Sequence, residues 1–419
     1  MKIMWIVNTI FPYPASKLNY GSTPFGGWLT SLYDSLEKND NFFAIVTTYK
    51  GKDFKMFEFE KTKYYLLPDK RENKYNKKLE KYYTEIVNTF NPDIVHIHGT
   101  EYPKSLPLVR SFPTLNYLIS IQGLLTPYSR VVNCNLSFTT LLKNITIRDI
   151  LKPKSGLLVK IDFLKRVKYE KELIESVKNI AGRTTWDYAN AKAINPLINY
   201  HKLEESLRVP FYLDSWNYSK CSKHTIFMSQ GQSIIKGLYL AIEALHILKN
   251  KYNYSDVKLV ITGKNLFDKT TITSRLKTQS YTKYMMKLVK KYGLSNNIIF
   301  TGFLPDYKVK EELLKANVYI QTSSIENSSN SLAEAMILGV PIVASNVGGT
   351  SDMLIDKEEG LLYPYTEYEL LAYYVSLLFE DKELGTKLGI NARNHALTRH
   401  NTVDNASNVL KVYSKIISK

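Results

Sequence analysis

The chain is poor in cysteine and has no long apolar run. Its 419 residues include two cysteines, Cys134 and Cys221, so a disulfide-dense fold is excluded and a reducing compartment is expected. No stretch approaches the roughly 18 to 20 apolar residues that cross a bilayer. The apolar run at residues 3–7 predicts a buried strand rather than a targeting segment. We therefore expect a cytoplasmic protein, either free or peripheral on the inner face of the cell membrane.

Several familiar motifs are also absent. No Gly-x-Gly-x-x-Gly follows the first apolar run, which disfavours a dinucleotide dehydrogenase. Neither a Walker A sequence nor Gly-x-Ser-x-Gly occurs. His96 and His98 would share one face of a strand, but no third ligand stands at a recognisable spacing, so the sequence predicts no metal site.

Charge of one sign is in excess. The chain has 56 lysines and arginines against 39 acidic residues, a net charge of +17, which calls for an anionic partner. Nucleic acid, anionic lipid and a phosphorylated substrate all qualify. Residues 157–171 suit a helix on a membrane surface, although an ordinary helix with a solvated basic face fits equally well. Its candidate lipid contacts are Lys160, Lys165, Arg166 and Lys168.

Apolar runs alternate with helical patterns throughout the chain, which predicts an α/β protein with parallel sheets. Predicted strands are residues 3–7, 43–47, 94–98, 117–121, 179–182, 224–229, 258–263, 298–302, 318–322, 341–345 and 360–363. Helices are expected at residues 238–251 and 280–292, and a long polar helix at 388–419. The series restarts near residues 209–212. This organisation predicts two Rossmann-like domains, residues 1–212 and 213–395, facing each other across a cleft.

Two glutamates, Glu326 and Glu334, bracket a turn rich in serine and asparagine that leads into a helix. The unpaired N–H groups of such a helix N-terminus attract anions. The two carboxylates can accept hydrogen bonds from sugar hydroxyls on either side of that anion. An ordinary helix N-cap would also account for this fragment alone. The arrangement suits a nucleotide-sugar, with its ribose, diphosphate and sugar in that order.

The segment from Glu326 through Gly348-Gly349 resembles the Glu-x7-Glu motif of retaining glycosyltransferases of the GT-B fold, in the group called family four. The resemblance implies a second domain that binds the donor sugar nucleotide and a first domain that binds the acceptor. It also implies that a C-terminal helix, residues 396–419, returns to the first domain. The implied donor-binding residues are Glu334, Ser328, Ser329, Asn330, Ser331, Leu332, Gly302 and Phe303.

The resemblance assigns the chemistry to three residues. Lys236 would stabilise the leaving diphosphate, and Glu326 and His98 would position the transferred sugar. The family has an arginine where this chain has Gly231, so a second cation must come from elsewhere, and Arg183 is the candidate. Residues implied near the acceptor or the phosphates are Gly26, Gly27 and Gln122.

These residues together predict a hexosyltransferase that uses a nucleoside diphosphate sugar and a carbohydrate or lipid-linked acceptor. A role in capsular or exopolysaccharide synthesis is expected. Because no Asp-x-Asp occurs, a metal-dependent mechanism is disfavoured, and neither a metal nor another cofactor is expected. Two alternatives stay open: a nucleotide-sugar epimerase of the same fold, and a basic protein that binds nucleic acid. We expect no nucleic-acid partner.

Overall fold

The computed structural model describes residues 1–20, 27–38, 40–152 and 159–418, and the chain divides into two units. Unit 1 comprises Met1–Pro127, Phe163–Leu207 and His400–Lys419, and unit 2 comprises Tyr128–Asp162 and Arg208–Arg399. Each unit is built around one sheet with helices on its faces, which is the doubly wound arrangement that the alternating pattern predicted.

The strands of the described residues form two sheets. In unit 1 they are β1 (Lys2–Ile6), β2 (Phe42–Tyr49), β3 (Lys55–Phe59), β4 (Thr62–Pro68), β5 (Ile94–His98), β6 (Tyr117–Ser120), β7 (Asn179–Gly182) and β8 (Asn199–Lys202), in the order β3-β4-β2-β1-β5-β6-β7-β8. Only the β3–β4 pair among these is antiparallel. In unit 2 they are β9 (Thr225–Met228), β10 (Lys258–Ile261), β11 (Ile298–Phe300), β12 (Val318–Gln321), β13 (Ile342–Ser345) and β14 (Leu361–Tyr363), parallel in the order β11-β10-β9-β12-β13-β14.

The α-helices of the described residues mostly connect these strands. They are α1 (Pro12–Lys17), α2 (Gly27–Glu37), α3 (Leu79–Phe90), α4 (Leu106–Ser111), α5 (Leu125–Val131), α6 (Phe138–Lys143), α7 (Ile147–Leu151), α8 (Val159–Glu175), α9 (Thr185–Ile194), α10 (Leu238–Asn250), α11 (Ile272–Leu276), α12 (Ser280–Tyr292), α13 (Asp306–Lys315), α14 (Asn330–Leu338), α15 (Thr350–Met353), α16 (Tyr368–Glu380), α17 (Lys382–Arg399) and α18 (Thr402–Ile417).

The last helix, α18, packs against the core of unit 1. Trp5 on β1 is fully buried, and its indole Nε1–H donates to Tyr413 Oη on α18 at 3.0 Å. The same hydroxyl lies 2.6 Å from His96 Nδ1. Helix α18 also contacts α2, so its apolar face is covered. The C-terminal helix therefore joins unit 1, as predicted.

The core of unit 2 lies on both faces of its sheet. Helix α10 buries most of its length, and every residue of α14 from Leu332 to Leu338 is buried. Burial of this kind contributes about 25 cal/mol per Å² of apolar surface, which offsets the entropy lost on ordering the chain. Helix α14 is thus a fixed element, and its N-terminus has a fixed position.

The structure corrects three details of the predicted organisation. Residues 128–162 belong to unit 2, whereas the contiguous boundary at residue 212 placed them in the first domain. The long helix expected at residues 388–419 is two helices, α17 and α18, and the chain passes from unit 2 to unit 1 between them. In the predicted basic helix, Arg166 is buried rather than exposed to lipid. The start expected near residue 157 lies outside the described residues.

Candidate functional site

Local residues cap the N-terminus of α14. Ser329 caps the helix, and its side chain accepts a hydrogen bond from the Leu332 N–H. The amides of Asn330 and Ser331 open the first turn, where backbone donors have no partner within the helix. Ser328, expected among these donors, precedes the cap. The end of α14 is set by Gly339, whose φ of 76° is the left-handed conformation that glycine tolerates.

Two close backbone approaches place Glu326 and Lys236 together. A Cβ on Gly348 would stand 1.9 Å from the Glu326 carbonyl oxygen, and the Gly349 N–H donates to that oxygen at 3.0 Å. A Cβ on Gly237 would stand 2.0 Å from the Thr322 carbonyl oxygen. Glycine is required at both positions because any side chain would collide with backbone. The family-like Gly348-Gly349 pair therefore positions Glu326.

Lys236 and Glu326 form an ion pair. Lys236 Nζ lies 2.5 Å from Glu326 Oε1, and both side chains are largely withdrawn from solvent. The Ser323 hydroxyl donates to the same oxygen at 2.6 Å. The predicted roles put the lysine on phosphate and the glutamate on sugar, so the ion pair brings the two assigned groups into direct contact. It also fixes the direction of the carboxylate.

These groups line one cavity of unit 2. The cavity lies beyond the carboxyl ends of β9 and β12, where ligands of parallel sheets bind. Four of the predicted site residues line it, namely Lys236, Glu326, Ser329 and Ser331. The cavity thus combines a cation, a carboxylate and the first turn of α14.

Glu334 has a partner that the sequence did not reveal. Arg208 Nε donates to Glu334 Oε1 at 2.8 Å, and Arg208 Nη2 lies 2.7 Å from the same oxygen. The Arg208 guanidinium also stacks over the Phe211 ring at 4.8 Å. Burial raises the pKa of the Glu334 carboxyl, and Arg208 opposes that rise. No spacing links residues 208 and 334 along the chain, so this pairing required the fold.

Gly302 and Phe303 follow β11, at the edge of the sheet. Gly302 has a φ of 80° and open space where a Cβ would stand. Its carbonyl oxygen accepts a hydrogen bond from the Gly263 N–H at 2.8 Å, which ties the ends of β10 and β11. The Phe303 side chain is 66% exposed, so it is free to cover a planar ring.

His98 in unit 1 is buried but lacks hydrogen bonds. It is 2% exposed, and within the described residues neither ring nitrogen has a hydrogen-bond partner. Its ring lies 4.6 Å from Trp5 and 5.7 Å from Trp28, measured between centroids. Burial, with His96 beside it, holds the pKa of His98 well below its usual value. His98 is therefore a neutral imidazole with both nitrogens available.

A second cavity brings His98, Gln122 and Arg183 together in unit 1. Gln122 Nε2 donates to Glu205 Oε1 at 2.8 Å. Gly27 begins α2, and its carbonyl oxygen accepts from the hydroxyls of Thr30 and Ser31. Gly26 lies outside the described residues.

The structure does not support Arg183 as the missing phosphate cation. Arg183 is 3% exposed and forms a buried ion pair with Glu205, and its Nη2 donates to the Ile121 carbonyl oxygen at 2.8 Å. A paired, buried guanidinium holds the fold of unit 1, and its charge is already neutralised. Sequence position alone could not show this pairing.

Two neighbouring carboxylates of unit 1, the buried Glu170 and the half-buried Glu101, were also missed. Glu170 is fully buried and accepts hydrogen bonds from the N–H groups of Leu125 and Thr126 at 2.7 and 2.9 Å. Nearby, burial and the charge of Glu170 raise the pKa of Glu101 to about 7, against several weaker opposing contacts. No motif or spacing in the sequence around Glu101 or Glu170 indicates that these carboxylates are withdrawn from solvent.

Comparison with known proteins agrees with this geometry. Residues 217–395 match the family model described as glycosyl transferases group 1, and this segment contains Lys236, Glu326 and Glu334. The chain is similar to YtcC of Bacillus subtilis, at 26% identity over 47% of this chain and 46% of that protein. It is also similar to the lipopolysaccharide core biosynthesis mannosyltransferase LpcC of Rhizobium leguminosarum, at 26% identity over 35% and 42%. The chain thus spans about half the length of these curated relatives.

Solved structures show the fold over the whole chain. Sucrose-phosphate synthase from Thermosynechococcus elongatus aligns with a TM-score of 0.75 at 14% identity, covering 100% of this chain and 99% of that one. Anabaena HepE, solved in complex with UDP and glucose, gives 0.66 at 14% identity over 99% and 100%. WaaG, a glycosyltransferase involved in lipopolysaccharide biosynthesis, gives 0.65 at 14% over 99% and 99%. The protein has the GT-B fold, as predicted.

Proposed function

We propose that the protein is a retaining glycosyltransferase that moves a hexose from a nucleoside diphosphate sugar to a carbohydrate or lipid-linked acceptor. The observation that carries the proposal is the Lys236–Glu326 ion pair, which lies in one cavity with the first turn of α14. Cation and helix N-terminus suit a diphosphate, and the carboxylate suits sugar hydroxyls. The match of this segment to glycosyl transferases group 1 supports the same role.

Unit 2 would hold the donor in order from the cavity towards Glu334, which is not part of the cavity lining. The diphosphate would lie against the Asn330 and Ser331 amides and Lys236, and Glu334 would accept hydrogen bonds from the ribose hydroxyls. Glu326, held by Lys236 and Ser323, would face the transferred hexose. Positive charge placed beforehand where the leaving diphosphate develops its charge lowers the barrier without reorganisation. This cation and helix N-terminus would serve where other glycosyltransferases use a metal.

Unit 1 has its own cavity, and polar side chains that line it would also bind a sugar. His98 is buried and neutral, and within the described residues neither of its ring nitrogens is hydrogen-bonded. It can therefore donate a hydrogen bond to a sugar hydroxyl or accept one from it. Gln122 lines the same cavity and adds a polar group without acid–base chemistry. Both side chains would position sugars, and both would be uncharged at neutral pH.

The biological setting that we propose is surface polysaccharide synthesis at the inner face of the membrane. Support comes from two similar proteins whose names place them in lipopolysaccharide synthesis, LpcC and WaaG. HepE, similar in fold, binds UDP and glucose in its solved complex. No helix of the described residues is long and apolar enough to span a bilayer, so the attachment that we propose is peripheral.

The proposed reaction is tested by following product stereochemistry. The protein would be incubated with nucleoside diphosphate hexoses and a lipid-linked saccharide extract, with and without EDTA, and the products examined by NMR. We expect a new glycoside with the anomeric configuration of the donor, at a rate unaffected by EDTA. An inverted glycoside, or loss of activity in EDTA, would disprove the retaining or metal-independent mechanism. Free epimerised sugar would instead identify an epimerase.

A further inference from the structure

Three short helices of unit 2 carry large apolar side chains in solvent. On α7, Ile147, Ile150 and Leu151 are 60%, 66% and 75% exposed, and on α11, Ile272 and Leu276 are 76% and 52% exposed. Spacings of three and four residues place these side chains on one face of each helix. Phe138 on the neighbouring α6 is 54% exposed. We call Ile147, Ile150, Leu151, Ile272 and Leu276 the α7–α11 surface.

Hydrogen bonds join α7 to residues 277–280, which follow α11 in the chain, and set the outward face of α7. Asp149 Oδ2 accepts from the Ser280 N–H at 2.9 Å, and Thr146 Oγ1 donates to the Thr278 carbonyl oxygen at 2.8 Å. Arg148 Nη1 donates to the Lys277 carbonyl oxygen at 3.1 Å. Since Asp149 is buried at this junction, the opposite side of α7, with its aliphatic residues, faces away from it.

The charges around the α7–α11 surface are of one sign. Residues 269–291 contain no aspartate or glutamate, and residues 128–152 contain only Asp149, which is buried. Exposed basic side chains of the same two segments include Lys143, Arg275, Lys277 and Lys287. Exposed aliphatic groups in segments that carry only exposed cations are a combination that soluble surfaces avoid and that anionic lipid bilayers bind.

Helix α8, the basic helix of the sequence prediction, fits a bilayer less well. Arg166 is 8% exposed and donates to the Glu101 carbonyl oxygen at 3.3 Å, and its guanidinium covers the Phe163 ring at 4.7 Å. Acidic residues also interrupt the helix, among them Asp162, Glu172 and Glu175. Its charge is mixed, while that of the α7–α11 surface is not.

We propose that the α7–α11 surface docks the protein on an anionic lipid bilayer, with the aliphatic side chains entering the interface and the surrounding cations contacting the headgroups. The proposal rests on the peripheral location put forward above and gives it a contact surface. Each basic residue near an anionic leaflet strengthens binding by about fivefold, and this contribution is lost at high salt. Insertion of the aliphatic side chains adds a contribution to the binding free energy that salt does not remove.

Co-sedimentation with vesicles tests the proposal. The wild-type protein is expected to pellet with phosphatidylcholine vesicles containing phosphatidylglycerol, and to stay in solution with phosphatidylcholine alone. The triple variant Ile150→Gln, Leu151→Gln and Ile272→Gln should bind at least tenfold more weakly, and so should Lys143→Glu with Lys277→Glu. All five side chains are exposed, so folding should be preserved, as circular dichroism would check.

Matched controls use exposed residues that are not part of the α7–α11 surface. Leu197→Gln with Val403→Gln removes aliphatic groups that are 86% and 75% exposed, and Lys160→Glu with Lys168→Glu reverses two exposed charges, Lys160 being in unit 2 but on α8. Both should bind vesicles like wild type. Equal loss in the controls, or no binding by wild type at low salt, would overturn the proposal. Loss in the charge variant but not in the glutamine variant would also overturn it, since that pattern indicates a general polyanion site.

Nucleotide binding separates this proposal from the proposed function. Calorimetric titration of the same variants with nucleoside diphosphates should give wild-type affinities, because the substituted residues lie outside the Lys236–Glu326 cavity. Vesicle binding without nucleotide binding would support the surface and contradict the enzyme. The reverse result would support the enzyme and overturn the surface.

Discussion

Seven residues lie between Glu326 and Glu334 in the sequence, and the structure gives the two carboxylates different surroundings. Glu326 accepts hydrogen bonds from Lys236 and Ser323 beside the cavity. Glu334 lies in the second turn of the buried helix α14 and is ion-paired with Arg208. The two carboxylates therefore have distinct tasks, and substitutions at the two positions should have distinct effects.

Replacement of Glu334 by alanine should weaken binding of the nucleoside diphosphate. Hydrogen bonds to a charged group contribute about 1.5 to 3 kcal/mol, and the loss should be of that size because the ribose hydroxyls lose their acceptor. Isothermal titration calorimetry measures the change. Arg208→Ala provides the companion variant, since it leaves the carboxylate in place. An unchanged affinity in Glu334→Ala would contradict the assignment to ribose.

Replacement of Glu326 by glutamine should leave binding of the free diphosphate nearly intact while turnover falls on the order of tenfold or more. The physical reason is that the carboxylate would contact the transferred hexose, which the free diphosphate lacks. Steady-state kinetics and calorimetry on the same preparation separate the two quantities. If nucleotide binding fell as far as turnover, Glu326 would belong to the nucleotide rather than the sugar.

At the scale of elements, glycine positions set the geometry of the site. Gly348 and Gly293 have similar left-handed φ values, 55° and 66°, but different surroundings. A Cβ on Gly348 meets the backbone of Glu326, whereas nothing lies within 4 Å of a Cβ on Gly293 among the described residues. Alanine at position 293 would strain only its own backbone, whereas alanine at position 348 would also collide with the backbone of Glu326.

Gly348→Ala should reduce turnover at least tenfold, because the Glu326 backbone must move to admit the methyl group. Gly293→Ala should cost only the left-handed penalty of about 1 to 2 kcal/mol in stability and keep its turnover. Urea unfolding and steady-state kinetics on both variants give the two quantities. Equal turnover in the two variants would show that the close approach to Glu326 does not matter.

The half-buried carboxylate Glu101 of unit 1 predicts a pH dependence of stability. Because the pKa of Glu101 is raised to about 7 in the folded protein, folding favours the protonated form. Stability from this group is full below the unfolded pKa of about 4.5 and is lost as pH rises through 7. Glu101→Gln should therefore match wild type near pH 4.5 and become more stable by up to about 3 kcal/mol above pH 7.

Unfolding in urea at a series of pH values checks this prediction, with the difference between the two proteins plotted against pH. Glu85→Gln, an exposed position on α3, is the matched control and should show no such trend. A difference that stays flat between pH 5 and 8 would show that Glu101 is ionised throughout.

Most strands that the sequence predicts are buried along their length, as β5 and β12 are. All eleven predicted strands are confirmed within a few residues, and the half-exposed edge strand β11 was predicted because its Ile-Ile-Phe sequence is apolar throughout. The missed strands β3, β4 and β8 have mixed or half-exposed sequences, and β3 and β8 are sheet edges. An edge strand buries one side only, and its pattern does not stand out from that of a loop.

At the scale of the whole molecule, the GT-B fold and the segment around Glu326 could be predicted because local motifs specify both. Contacts between residues that are distant in sequence could not be predicted. Arg208 meets Glu334 across 126 residues, and Arg183 is paired with Glu205 instead of serving a phosphate. The transfer of residues 128–162 to unit 2 depends on hydrogen bonds such as Tyr239 Oη to the Cys134 carbonyl oxygen at 2.8 Å. Such pairings depend on three-dimensional packing, which no spacing rule encodes.

The central claim is that the Lys236–Glu326 cavity of unit 2 binds a nucleoside diphosphate. Calorimetric titration of wild type, Lys236→Ala and the exposed-lysine control Lys264→Ala with UDP, GDP and ADP tests it most directly. The account predicts that wild type and Lys264→Ala bind one of these nucleotides equally, and that Lys236→Ala binds it at least tenfold more weakly, about 1.4 kcal/mol. Absence of binding to all three, or equal affinity in Lys236→Ala, would contradict the account.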